Sequence, residues 1–224
     1  MATPRTYKYA IDPNTASSWM ATLADTTIAT NLAANPRAVQ SGAQGWGGAI
    51  QWNSASISWL TGQTGWADGT TTAVSVAATA TNGSSGNYVA FTTQDAAILA
   101  GVADGASVPM TIQGSRSIGT TLVIAVSWLN NSGVEIAENV GPDVTVAAGE
   151  KRTLTISAPK PSGASRFSVH MRAPSVQAGE VITATNVCVG SSTFFDGSTV
   201  STAGVAYSWT GTPNRSTSIK TTTA

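Results

Sequence analysis

Apolar residues recur at alternate positions through much of this chain. Val108, Met110 and Ile112 form one set. Leu122, Ile124, Val126 and Trp128 form a second, and Phe167, Val169 and Met171 a third. Alternate residues of a strand point to opposite faces, so each set lines one side of a sheet. Shorter runs rich in branched or aromatic residues mark further strands. They lie around Ile50, Trp52, Ile57 and Trp59, at Val74 and Val76, and at Tyr88–Phe91. Others lie at Val134 and Ile136, Val144 and Val146, Leu154 and Ile156, and Val181–Val189. Turn signals separate them: Gly62, Gly65, Asp68-Gly69, Asn82-Gly83, Asn130-Asn131-Ser132-Gly133 and Ala148-Gly149-Glu150. Short strands with turns about every ten residues predict an all-β fold, a two-sheet antiparallel β-sandwich. Only Asp95–Leu99 suits a helical turn.

The two ends have a different texture. Residues 1–30 are polar, carry Pro4 and Pro13, and keep no sustained period. They read as an N-terminal arm ordered on a neighbour, with Trp19, Met20 and Leu23 as anchors. The competing reading is a short helix over 16–23 capped by Asn14 or Thr15. Residues 31–190 are the sandwich. Residues 191–224 form a tail rich in Ser, Thr and Gly, in which Phe194, Phe195, Tyr207 and Trp209 would pack on the sandwich edge. The last few residues are expected to be mobile.

Charge removes several function classes. Only 10% of the 224 residues are charged, against roughly 25% in an average protein. Eleven basic and eleven acidic residues cancel, and no basic block exists. Nucleic acid is therefore not an expected partner. No apolar run reaches the length of a membrane helix, so no membrane partner is expected. The single Cys188 rules out an internal disulfide and a thiolate metal cluster, and it reads as a buried, inert thiol. A surface of hydroxyls and amides suits packing against subunits or sugars.

Two stretches carry a family resemblance. Asn31-Leu32-Ala33-Ala34-Asn35-Pro36 resembles the opening of phage jelly-roll domains, which are similar to carbohydrate-binding modules. Phe195-Asp196-Gly197 followed by Tyr207-Ser208-Trp209-Thr210-Gly211-Thr212-Pro213 resembles the ending of minor tail proteins of siphophages. Between them lie a Trp128-containing strand before an Asn-Ser-Gly turn, and two Ala-Gly-Glu turns at 148–150 and 178–180. The resemblance covers roughly residues 31–218. It implies a jelly roll and a non-enzymatic role in a bacteriophage virion, made in the host cytoplasm. Its partners would be other virion proteins and a host cell-surface polysaccharide. Ala33 and Ala34 replace bulkier or polar residues, and the arm is longer than the family pattern. That arm keeps open a capsid-decorating or minor capsid role. A stand-alone carbohydrate-binding module is the third reading. A homo-oligomer, such as a trimer, would use the low-charge sheet face as its contact.

Candidate chemistry is sparse. Of seven tryptophans, Trp46 and Trp66 sit beside glycines, in Gly45-Trp46-Gly47 and Gly65-Trp66, and are the candidate sugar-stacking residues. The competing reading folds them onto the sandwich end. Trp52 and Trp128 read as core. His170, the only histidine, falls on the polar side of its strand with Ser168 and Arg172 and reads as a surface residue. Glu135 and Glu138, the only close glutamates, read as solvated rather than as a glycosidase pair. Asp68-Gly69, Asp104-Gly105 and Asp196-Gly197 read as turns. No metal and no cofactor are assigned.

Overall fold

The computed structural model describes residues 26–40, 45–50, 53–54, 57–81, 87–93, 95–211, 213 and 216–223. Trp19, Met20, Leu23, Trp52 and the Asn82-Gly83 turn lie outside them. The chain is an antiparallel β-sandwich. Its strands, in order, are β1 Thr26–Asn31, β2 Trp46–Ile50, β3 Asn53–Ser54, β4 Ser58–Leu60, β5 Ala73–Ala77, β6 Tyr88–Thr92, β7 Ser107–Arg116 and β8 Thr121–Leu129. Then come β9 Glu135–Val140, β10 Val144–Thr145, β11 Arg152–Pro159, β12 Arg166–Arg172, β13 Val181–Val189, β14 Val205–Trp209 and β15 Ser218–Thr223.

One sheet runs β10-β8-β12-β6-β2-β3, with β9 also paired to β8. The facing sheet runs β11-β7-β13-β5-β4. The alternating sets predicted from sequence point into the space between them. From the seven-stranded sheet come Phe91, Leu122, Ile124, Val126, Trp128, Phe167, Val169 and Met171; from the five-stranded sheet come Val74, Val76, Met110, Ile112, Leu154 and Ile182. Each is buried, and each such side chain contributes roughly 1.5–3 kcal/mol. Gly114 on β7 is opposed by Met171 of the other sheet, whose thioether fills the space a Cβ would need.

A buried ion pair closes one end of the sandwich. Arg116 at the end of β7 donates from Nε to Glu180 Oε1 at 2.6 Å, and its other donors reach the carbonyls of Thr121 and Ser175. Glu180 also accepts from the amides of Gly119 and Gln177. Burial opposes ionisation of Glu180, but Arg116 and these amides outweigh it and hold the carboxyl below its usual range.

The ends fold differently from the sequence reading. Residues 26–30, counted with the arm, belong to β1, which pairs along its length with β15. The last few residues, expected to be mobile, run into that partner strand, Ser218–Thr223, and β14 completes a three-stranded sheet. Threonine suits an extended backbone, so a Ser/Thr-rich tail is strand-forming once a partner is in place. Asp95–Leu99 forms successive turns and no helix.

Candidate functional site

The outward side of the seven-stranded sheet carries most of its chemistry. β9, β8, β12, β6 and β2 lie side by side, and their registers align residues in rows across the strands. One row is Glu138, Ser127, Ser168 and Thr92. The next is Val140, Ala125, His170, Ala90 and Gly47. The third is Val123, Arg172 and Tyr88, and Arg166 with Leu129 opens a fourth beyond Ser168. Small residues make the floor. Four inter-strand gaps of about 4.8 Å make it roughly 19 Å wide.

Planar polar groups stand above that floor. Arg172 holds Glu138 through both carboxylate oxygens, and the pair spans Ala125. Tyr88 stacks on His170, with ring centroids 4.7 Å apart and planes within 10°. An arginine can only donate, so the 3.2 Å contact from Arg172 Nη2 makes His170 Nδ1 an acceptor. His170 Nε2 therefore carries the proton and donates to Ser168 Oγ at 2.8 Å. Ser168 Oγ and Thr92 Oγ1 share a further hydrogen bond at 2.6 Å, which carries the chain on to β6. The same geometry fixes the charge state. Burial, with Arg172 beside it, pulls the His170 pKa down to about 4, so the ring is neutral at pH 7.

The sequence placed Ser168, His170 and Arg172 on the polar side of their strand, which is where they lie. It read His170 as a surface residue, and the structure corrects this: the side chain is buried under Tyr88 and Arg172. Glu138, read as solvated, is tied to Arg172. Tyr88, Thr92, Ser127 and Arg166 were missed. One signal pointed to this face. The positions of β12 that alternate with its core set are Arg166, Ser168, His170 and Arg172, all of them hydrogen-bonding groups.

The two indoles chosen from sequence are elsewhere and are not open faces. Trp46 lies in β2, buried, with Nε1 donating to the Asn35 carbonyl at 2.7 Å and its ring edge-on to Phe91. Gly45 beside it and Gly48 two residues on serve close packing rather than looseness; a Cβ on Gly45 would stand 2.6 Å from the Thr92 carbonyl oxygen. A Cβ on Gly48 would stand 2.6 Å from Val76 of the facing sheet. Trp66 lies in the β4–β5 loop and is also buried, with Lys151 Nζ 5.0 Å above its ring. That loop folds over the outward side of the five-stranded sheet. The Ala67 amide donates to Gln113 Oε1, and Asn186 Nδ2 donates to the Ala67 carbonyl. Accessible sugar platforms at Trp46 and Trp66 are thus corrected to packed side chains.

A clasp joins the start of the sandwich to the tail. Asn31 donates to the carbonyls of Val187 and Phe195 and accepts from the amides of Ala33 and Val189. Arg37 pairs with both Asp68 and the fully buried Asp196, and its guanidinium lies over the Phe194 ring. Phe195 packs on Tyr207, and Trp209 packs on Gly197 with Nε1 donating to Ser198 Oγ. Cys188 lies beneath this clasp, where burial pushes its thiol up to about 12 and keeps it protonated. Among the described residues no cluster of three or more His, Cys, Asp or Glu could hold a metal.

No protein-family model matches the chain, and no curated protein matches it. Solved structures do. An arabinose-bound α-L-arabinofuranosidase superposes on 72% of the chain and 26% of its own, at 12% identity and a TM-score of 0.50. The C-terminal family 22 carbohydrate-binding module of a Clostridium thermocellum xylanase matches 75% of the chain and 98% of its own, at 15% identity and a TM-score of 0.48. Tailspike protein 4 of bacteriophage CBA120 matches 69% of the chain and 21% of its own, at 14% identity and a TM-score of 0.43. The chain thus spans about a quarter of the arabinofuranosidase and about a fifth of the tailspike. At these identities the likeness is one of fold: a jelly-roll β-sandwich.

Proposed function

We propose that this chain is a non-enzymatic structural protein of a tailed-bacteriophage particle, a minor tail protein. The outward face of its seven-stranded sheet meets a cell-surface polysaccharide. The observation that carries the contact is the layer of Tyr88, His170, Arg172 and Glu138 above a floor of small residues. Planar groups locked by one another lose little freedom when a sugar arrives, and they can hydrogen-bond ring hydroxyls. The virion role draws support from the clasp. The two stretches that resemble phage jelly-roll and tail proteins, Asn31–Pro36 and the segment from Phe195, meet through Asn31 and Phe195, and Arg37, next along the chain, holds Asp196.

Adhesion without chemistry fits the one histidine. A Ser–His nucleophile needs a histidine nitrogen free to take the serine proton. In the pair at 2.8 Å, that nitrogen already carries a proton, because the other one faces Arg172 rather than a carboxylate.

Gold-labelled antibody on purified particles of the virus that encodes the chain tests the location. Label at the tail is expected. Label over the head assigns capsid decoration instead, and unlabelled particles sink the virion reading. The contact is tested by affinity electrophoresis in gels carrying plant, bacterial and fungal polysaccharides. Tyr88→Ala should weaken retardation about tenfold, the size of one lost aromatic contact. Unchanged retardation would overturn this face as the contact.

A further inference from the structure

The hydrogen-bond ledger of the outward face is lopsided. Glu138 is the carboxylate of the row, and both its oxygens are taken by Arg172, with Ser127 donating to one of them at 3.4 Å. His170 has both ring nitrogens engaged. Two guanidinium donors remain unspent. Arg172 Nε is buried without a partner among the described residues. Arg166, at the open end of β12, has a buried Nε with no partner among the described residues. It also makes no ion pair among the described residues, whereas Arg37, Arg116, Arg152 and Arg172 each hold a carboxylate. Glu135, opposite Leu129 on β9, does not pair with it. The Cβ position of Gly133 lies 3.7 Å from an Arg166 amino group, so the β8–β9 hairpin walls the guanidinium without neutralising it.

Two buried guanidinium Nε donors without a partner among the described residues, one of them on an arginine with no counter-ion, favour a ligand rich in acceptors. Neutral sugar hydroxyls both donate and accept. Carboxylate, sulfate and phosphate only accept, and they match the planar fork of arginine. We infer that the polysaccharide taken by the Tyr88–His170 face is anionic, and that Arg166 binds its oxyanion substituent. This rests on the proposed polysaccharide contact and names the class of polymer it takes.

The test uses backbone-matched probes and the full chain. Binding is measured by calorimetry to polygalacturonate and its methyl ester, and to dextran sulfate and dextran. At least one anionic member should bind, with its neutral partner weaker by about tenfold or more, the worth of a hydrogen bond to a charged group. The pair that responds distinguishes carboxylate from sulfate ester. Arg166→Gln should remove that preference. Arg166→Lys should restore part of it, since the charge returns without the fork. Arg152→Gln, on the other sheet, should change nothing and guards against general attraction to polyanions. Thermal unfolding of Arg166→Gln close to the parent temperature shows that the fold is intact. Equal binding of charged and neutral partners, or a preference that survives Arg166→Gln, overturns the inference and leaves the polysaccharide contact standing. A chain that binds none of these four probes and no polysaccharide of the gel panel overturns both.

Discussion

The two sheets have similar inner faces and opposite outer ones. The outer side of the seven-stranded sheet carries Arg172, His170, Glu138 and Tyr88, charged or planar groups bound to one another, and Arg166 beside them. The outer side of the five-stranded sheet carries Thr111, Gln113, Thr153, Thr155, Ser157 and Thr185, with no charge among them. The β4–β5 loop lies on that second side, pinned through Gln113 and Asn186, and brings Trp66 with it. The first face leaves an arginine without a carboxylate among the described residues, and the second, uncharged, holds a loop through Gln113 and Asn186. The strands supply the same scaffold to both, and only the residues alternate to the core decide which face recognises and which is covered.

The sharpest way to break this contrast is Trp66→Ala. A covered, packed indole predicts a loss of about 3–5 kcal/mol in stability, read by denaturant unfolding, with polysaccharide binding unchanged in the folded fraction. A small loss would return Trp66 to the role of an open platform. Acid acts on the other face. His170 takes up its proton near pH 4 in the folded chain and near 6.5 when unfolded. Above pH 6.5 it contributes nothing. As pH falls through the window from 6.5 to 4 the unfolded chain binds the proton first, so stability declines, by about 3 kcal/mol in total. Unfolding at pH 7 and pH 4 should show this loss in the parent and not in His170→Gln, with losses from carboxylates common to both. Equal losses in the two proteins would contradict the buried neutral ring. The smallest effect belongs to Lys151→Ala. Its cation–π contact with Trp66 is partly exposed and should be worth about 0.5–1 kcal/mol, seen as a slight fall in the denaturation midpoint.

Much of the sandwich was legible because period two is a local property. Leu122 through Trp128 and Phe167 through Met171 announce both a strand and its buried side. The same period put Ser168, His170 and Arg172 on the outer side. Their burial was not legible, since it depends on which strands flank β12. Tyr88 and Glu138 meet His170 and Arg172 only because β6 and β9 lie on either side of the β12–β8 pair. Glycine misled at Trp46. Gly45 and Gly47 read as a loop, but Gly47 lies within β2, and a Cβ on Gly45 would meet Thr92 and Phe91. At the tail the Ser/Thr-rich composition reads as mobility, and only the pairing partner, β1, shows Ser218–Thr223 to be a strand.

The pairing of β1 with β15 also has a mechanical side. Thr26 sits opposite Thr223, and Asn31 opposite Ser218. The outer ends of both strands therefore leave the ladder at the same place. Tension drawn between them peels the rungs one after another, the weak direction for an antiparallel pair, instead of loading all of them in shear. The peeling stops at Asn31, where four hydrogen bonds and the Arg37 ion pairs take the load together. The small sheet is then a sacrificial zipper: it lengthens under pull while the sandwich, and the face it carries, stays folded.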